Sequence, residues 1–90
     1  MSNIIITGIS SFIGIHLAKY FSRNSYNVIG TISRDISKYD GIRKVRIAEA
    51  LNSEVRIKKL DITKPTELKI IIGEIKPDYM QIPYIHINID

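Results

Sequence analysis

Ninety residues, a formal net charge of +4 and no cysteine already bound what this chain can be. One compact domain is the most the length allows, and disulfide scaffolds, zinc ribbons and thiol catalysts fall with the missing cysteines. No apolar run approaches the ~18 residues of a membrane-spanning helix, Met1-Ser2-Asn3 lacks the positive patch and cleavage site of a signal peptide, and a cytoplasmic protein is the default expectation.

Hydrophobic residues make up 44% of the chain and charged residues 24%, which is a globular rather than a disordered composition. Isoleucine alone accounts for 21 positions. AT-rich codon bias produces such an excess without functional meaning, so strand assignments need support beyond isoleucine content. The basic excess sits in the first half: residues 1–45 hold six Lys or Arg against two Asp or Glu, while residues 46–90 hold seven of each. A basic half can meet nucleic acid or an acidic ligand. Against nucleic acid, the basic residues are not interleaved with aromatics and no recognition motif is present.

Asn3-Ile4-Ile5-Ile6-Thr7, stopped by Gly8, is a continuous apolar run suited to a strand buried on both faces. Beyond the turn, Ile13, Leu17, Ala18 and Phe21 recur at helical spacing with Tyr20 beside them, and Asn24-Ser25 closes the helix. Val28-Ile29-Gly30-Thr31-Ile32, begun at Tyr26-Asn27, reads as a second strand, followed by a polar connection from Ser33 to Lys38. Ile42, Val45, Ala48 and Leu51 then fall three apart, with Asp40 as the candidate N-cap and Asn52 near the stop. Val55, Ile57 and Leu60 suggest a third strand. Thr63 is placed to cap the next helix, Pro65 suits its first turn, and Leu68, Ile71, Ile72 and Ile75 make an amphipathic stripe ended by Lys76-Pro77-Asp78.

The order predicts strands near 3–7, 27–32 and 55–60 and helices near 13–23, 41–51 and 65–75. Such alternation implies right-handed crossovers and an α/β fold with a parallel sheet. The expected spatial order is 3-2-1, with strand one at an edge and any fourth strand pairing with it.

The turn Thr7-Gly8-Ile9-Ser10-Ser11-Phe12-Ile13-Gly14 joins the first strand to the first helix. A helix start leaves backbone N–H groups unpaired and positively polarised, which attracts phosphate. Gly8 permits the tight turn and Gly14 lets the helix lie close to the sheet, whereas Ser11 stands where a glycine would let a pyrophosphate approach. Its hydroxymethyl either crowds the phosphate or bonds to it. A glycine turn that merely connects strand to helix is the plain alternative.

From Thr7 to Leu17 the chain resembles the opening of the NAD(P)-dependent epimerase/dehydratases, the extended short-chain dehydrogenase/reductases, with their T-G-x-x-G-x-x-G turn and its Phe-Ile-Gly. Asp61-Ile62 and Lys76-Pro77-Asp78 match two further family segments, so the resemblance spans about residues 3–78. It implies a truncated Rossmann-like βαβαβα unit: a partial NAD(P)-binding domain over residues 1–78 and a divergent tail over 79–90. Carried over by position, Gly8, Ser11, Phe12, Ile13 and Gly14 would hold the pyrophosphate. Asp61 and Ile62 would flank the adenine, the Asp61 carboxylate accepting from its exocyclic amine; the competing role for Asp61 is capping the following helix.

Ile32 stands where the family's cofactor-selecting aspartate is expected, and Ser33-Arg34 follow, which leans toward NADP over NAD. Asp35, next along, pulls the other way, and Arg34 as a solvated loop charge is the competing reading.

The family's hydride chemistry uses a tyrosine with a lysine four residues later, and no Tyr-x-x-x-Lys occurs here: Tyr20 is followed by Asn24, Tyr39 by Arg43, Tyr79 by Pro83 and Tyr84 by Asn88. No catalytic residue is therefore assigned; His16 and His86 lack identifiable partners, and Glu49, Glu54, Glu67 and Glu74 show no metal-ligand spacing. In the tail, Ile85, Ile87 and Ile89 alternate, so a displaced fourth strand after Pro83 competes with a frameshift or premature stop.

The leading expectation is thus the dinucleotide-binding portion of an epimerase, dehydratase or reductase, without turnover by itself, whose full-length relatives act on a nucleotide-sugar or similar substrate. A small non-catalytic module that binds or senses NAD(P) is the alternative, and the isolated chain is expected to aggregate or form a homodimer through an open edge of strand one.

Overall fold

A computed structural model describes residues 2–82 of the chain. The elements run β1 (Asn3–Ile6), α1 (Phe12–Arg23), β2 (Asn27–Ile32), a 3-10 turn (Ile36–Lys38), α2 (Gly41–Asn52), β3 (Arg56–Lys59), α3 (Pro65–Ile75) and β4 (Tyr79–Gln81). The four strands form one sheet in the order β3-β2-β1-β4, and every pairing is parallel. This is the Rossmann-like α/β arrangement. Strand one is interior rather than at an edge, because β4 forms and pairs with it from Ile4 opposite Tyr79 to Ile6 opposite Gln81. The edges among the described residues are β3 and β4.

Continuous apolar strands need cover on both faces, and the crossovers supply it. Going β1 to β2 to β3 moves one way across the sheet, so right-handed connections put α1 and α2 on one face. The step from β3 back to β4 reverses direction and puts α3 on the other. Ile4, Ile6, Val28 and Ile32 point to the first face, where they pack with Ile9, Ile15, Ala18, Ile47, Ala50 and Val55. Ile5 and Ile29 are opposite each other in register, fully buried, and belong to the second face.

The helices correct the sequence reading in detail. In α1 the buried residues are Gly14, Ile15 and Ala18, with Leu17 and Phe21 half-buried against them. Ile13, expected in the stripe, is 51% exposed on the first turn. In α2 the expected face is wrong: Ile42, Val45 and Leu51 are exposed, and Ile47 and Ala50 are buried instead. At ~100° per residue, each step of three falls ~60° short of a full turn, so a strict three-residue spacing sweeps around the helix instead of marking one side. In α3 the stripe is only half-buried: Leu68, Ile71 and Ile75 are partly covered, while Ile72 is 39% exposed. Thr63 does not cap this helix; Lys64 holds the N-cap position without a side-chain bond, and the Thr63 hydroxyl donates back to Asp61. Asp40 does hold the N-cap position of α2, also without a side-chain bond.

Long-range bonds fix β4. The Asp78 N–H donates to the Asn3 carbonyl at 2.8 Å, and the Asn3 N–H donates to the Asp78 carboxylate at 2.8 Å. Lys76 in the left-handed region, followed by Pro77, ends α3 and aims the chain into that pairing. The fourth strand therefore starts directly after Pro77-Asp78. The alternating isoleucines Ile85, Ile87 and Ile89, with His86, lie outside the described residues.

Candidate functional site

The turn after β1 is built by three departures from ordinary side-chain packing. Gly8 has φ of 65°, a left-handed conformation that glycine adopts without penalty. Ile9, fully buried, folds back over β2, where its N–H donates to the Thr31 carbonyl at 3.1 Å. Gly30 makes room for it, since a Cβ there would lie 2.4 Å from the Ile9 Cγ2. A glycine inside a strand marks such a close approach.

Ser11 caps α1. Its hydroxyl donates to the Gly8 carbonyl at 2.7 Å and accepts from the Gly14 N–H at 2.8 Å, and the residue is fully buried. The hydroxyl thus both donates and accepts inside the turn, as an N-cap does. Gly14 is needed for a more local reason than approach to the sheet, because a Cβ would sit 2.2 Å from the Gly8 carbonyl oxygen. Among the described residues, the Phe12 and Ile13 N–H groups have no protein acceptor. They sit at the positively polarised helix start, and Phe12 and Ile13 are exposed there.

Beside this turn, at the carboxyl ends of β1, β2 and β3, lies a cleft of about 380 Å³. Small-molecule sites commonly fall in the range ~300–1,000 Å³, and open parallel sheets place them at these strand ends. Thr7, Gly8 and Ser10 form one wall. Thr31, Ile32, Ser33, Arg34 and Tyr39 form the second, Arg43 of α2 the third, and Leu60 through Thr63 the fourth.

Of the residues singled out in sequence, the cleft brings together Gly8, Ser33, Arg34, Asp61 and Ile62. Ser11 and Gly14 lie beneath the turn, and Phe12 and Ile13 stand at the helix start outside the cleft lining. Sequence reading missed Tyr39, Ser10 and Arg43. Arg43 carried a signal, being a basic residue in the first turn of the helix that follows β2. Tyr39 carried none beyond its type.

Each polar wall has its own anchoring. The Arg34 guanidinium stacks 5.2 Å from the centre of the Tyr39 ring. Burial works to raise the Tyr39 pKa, yet it stays below the ordinary phenol value, because the Ser33 hydroxyl, the backbone N–H groups of Ser33 and Arg34, and the Arg34 charge favour the anion. Asp35 turns away toward Lys59 of β3 at 3.9 Å and does not line the cleft. Ile32, at the end of β2, is buried, so no carboxylate stands at that position.

The Asp61 Oδ1 accepts from the Thr63 hydroxyl at 2.6 Å and from the Thr63 N–H at 2.9 Å. These two bonds, hydroxyl first, hold its carboxyl below the usual carboxylate pKa. The carboxylate thus orders the turn ahead of α3 rather than capping the helix. Among the described residues its Oδ2 has no partner.

The histidine in α1 is structural. The His16 Nδ1–H donates to the Phe12 carbonyl at 2.8 Å, and the ring lies 4.4 Å from that of Phe12. A carbonyl can only accept, which fixes the proton on Nδ1. No helix of the described residues is long and apolar enough to cross a membrane.

A parallel sheet with β1 between β2 and β4, a glycine turn into α1, and a cleft over the strand ends together define the N-terminal portion of a short-chain dehydrogenase/reductase fold. The family model of GDP-mannose 4,6 dehydratase matches residues 5–81, and the chain belongs to that family, within the extended short-chain dehydrogenase/reductases. The match ends at the last residue of β4. Two solved structures from Burkholderia multivorans are similar. One, assigned as a short-chain alcohol dehydrogenase, shares 25% identity over 91% of this chain with a TM-score of 0.66. The other, assigned as a short-chain dehydrogenase/reductase with bound NADP, shares 27% identity over 81% with a TM-score of 0.58. The chain spans 38% of the first and 30% of the second.

Proposed function

We propose that the cleft over β1, β2 and β3 holds the adenosine half of a dinucleotide, with NADP preferred over NAD. The carrying observation is that Arg34 after β2 and Arg43 of α2 both line the cleft, while buried Ile32 ends β2 and Asp35 stays outside the lining. An acidic residue at that position would grip the ribose hydroxyls of NAD, whereas arginine accommodates the extra phosphate of NADP.

The rest of the lining fits the same ligand. The Phe12 and Ile13 N–H groups at the start of α1 suit the pyrophosphate, with Gly8, Ser11 and Gly14 shaping the turn that presents them. Leu60 and Ile62 offer apolar cover for an adenine, and the unpartnered Oδ2 of Asp61 is an acceptor for its exocyclic amine. When bound, the nicotinamide would supply hydride transfer. The residues of this chain bind and orient; none of its tyrosines has the lysine four positions on that lowers the phenol pKa in the family.

The wider reading is the cofactor-binding part of an epimerase, dehydratase or reductase of a nucleotide-sugar or similar substrate, with these ninety residues binding nucleotide but not turning over substrate. Calorimetric titration of the chain with NADP and with NAD is the test. Tighter binding of NADP, with the preference lost in Arg34→Ala, supports the reading; equal affinities, or a preference that survives Arg34→Ala, remove Arg34 from the site.

A further inference from the structure

The two edges of the sheet differ in kind. β3 carries Arg56, Lys58 and Lys59 within its four residues, and among the described residues neither Arg56 nor Lys58 has a carboxylate partner. Like charges on an edge strand keep a second copy from pairing there. β4 reads Tyr79-Met80-Gln81 and carries no charge.

An aromatic row leads to that uncharged edge. From ring centre to ring centre, Tyr20 lies 5.3 Å from Phe21, Phe21 4.9 Å from Tyr26, and Tyr26 6.2 Å from Tyr79. Register sets Tyr79 beside Ile4, hence on the face of the sheet that α1 covers. Lys19 and Ser22 bind α2 and its end, through Glu49 and the Ser53 carbonyl, so they mark the α2 side of α1. The row occupies the other side, toward β4, where Tyr20 is 58% and Tyr79 55% exposed.

We propose that the chain pairs with a second copy of itself along β4, antiparallel, about a two-fold axis through Met80 and perpendicular to the sheet. Such an axis keeps the α1 faces of both sheets on one side, so the two aromatic rows meet over the joined edge. Tyr79 of each copy then stands opposite Gln81 of the other, and the two Met80 side chains adjoin on the α3 face. Charge selects a second copy as the occupant: a neutral strand meets its neutral twin, and the basic β3 edges stay at the two ends of the doubled sheet. None of these contact residues lines the cleft.

The contact is small. An aromatic side chain presents ~150–250 Å², so half-exposed Tyr20 and Tyr79 with Leu17, Phe21 and Tyr26 offer roughly 300–400 Å² per copy. A stable interface buries about 800 Å² per partner. Strand pairing adds backbone hydrogen bonds, and the dimer is weak and concentration-dependent.

The test is sedimentation equilibrium of the full chain from about 10 μM to about 1 mM, the range in which an interface this small associates. A monomer–dimer equilibrium is expected. Raising the salt from about 0.1 M to about 1 M shortens the screening length from ~10 to ~3 Å. That tightens the dimer, because copies of net charge +4 repel while the contact itself is uncharged. Tyr79→Lys weakens association about tenfold or more by setting unpaired lysines in the contact, and Lys58→Gln on the opposite edge leaves it unchanged.

Should Tyr79→Lys fail to fold, Met80→Cys reads the same contact in a chain without cysteine of its own. Directly opposed antiparallel residues lie ~4.5–5.5 Å apart at Cα, within disulfide reach. Oxidised Met80→Cys protein therefore runs as a covalent dimer and Lys58→Cys protein as a monomer. A monomer throughout the range overturns the proposal, as does growth past the dimer, which a closed two-fold excludes. Association that salt weakens marks an ionic contact instead. Association that Tyr79→Lys leaves intact, that Lys58→Gln strengthens, or that cross-links no better through Met80→Cys than through Lys58→Cys places the contact elsewhere and likewise overturns it.

Discussion

Two glycine-to-alanine substitutions, chemically identical, should move stability in opposite directions. At Gly14 the new Cβ would lie 2.2 Å from the Gly8 carbonyl oxygen, 2.9 Å from the Gly8 carbonyl carbon and 2.7 Å from the Ser11 hydroxyl. The first two are backbone atoms of the turn and cannot rotate away. Restoring ordinary contact, ~3.5 Å, requires the start of α1 to retreat by roughly 1 Å. That movement stretches the Ser11 hydrogen bonds of 2.7 and 2.8 Å and loosens Ile15 and Ala18 against the sheet.

Overpacking of this kind costs ~1–3 kcal/mol and an impaired N-cap ~1 kcal/mol, about 2–4 kcal/mol together. At ~0.05–0.15 kcal/mol per residue, a chain of this size has only about 4–14 kcal/mol to lose. At Gly73 in α3 nothing lies within 4 Å, and alanine there improves helix propensity by ~0.5–1 kcal/mol. Urea unfolding followed by far-ultraviolet circular dichroism compares the three proteins. With a slope of ~1 kcal/mol/M, Gly14→Ala lowers the midpoint by about 2 M or abolishes the transition, and Gly73→Ala raises it by about 0.5–1 M. A Gly14→Ala midpoint equal to the wild type would refute the turn geometry described above, and a Gly73→Ala protein as weakened as Gly14→Ala would show that glycine loss, not the contact with Gly8, sets the effect.

The face of α2 is tested by Ile47→Ala, expected to cost ~2–5 kcal/mol as a buried truncation, against Val45→Ala at an exposed site, expected within ~0.5 kcal/mol; comparable costs in urea unfolding would mean that α2 is rotated from the orientation seen here. For Asp61 the folded carboxyl pKa is depressed below the ordinary 3.8 by Thr63, so its stabilising effect is complete above that value and is lost as the pH falls through the folded pKa. Melting of the wild type and Asp61→Asn across the range from neutral to acid should therefore show the two curves converging as the pH drops below about 4, and a difference that grows in acid contradicts the Thr63 bonds.

The sequence by itself determined the sequence of elements and most of their limits. Expected strand two at 27–32 and expected helix three at 65–75 coincide with β2 and α3. Hydrophobic period, a helix-starting proline and the Lys76-Pro77 stop are local properties, written within a few residues of where they act. A helix between each pair of strands then made the sheet parallel, and adjacency of successive strands put β2 between β1 and β3. Gly8, Arg34 and Asp61 were legible as cleft residues for the same reason: each sits at a strand end, and in such a sheet all strand ends open on one side.

Only the tertiary structure decided which neighbours meet across the chain. The buried side of α2 follows from α1 and β3, not from the spacing of Ile42, Val45, Ala48 and Leu51, which drifts around the helix. Ser11 was free in sequence to face a ligand, but the approach of the Gly8 carbonyl turns its hydroxyl inward. Arg43 reaches the site through Ser10, 33 residues earlier, and β4 is fixed by bonds between Asn3 and Asp78, 75 residues apart. Such pairs leave no periodic trace, because their geometry exists only once the sheet has brought distant strand ends to the same edge.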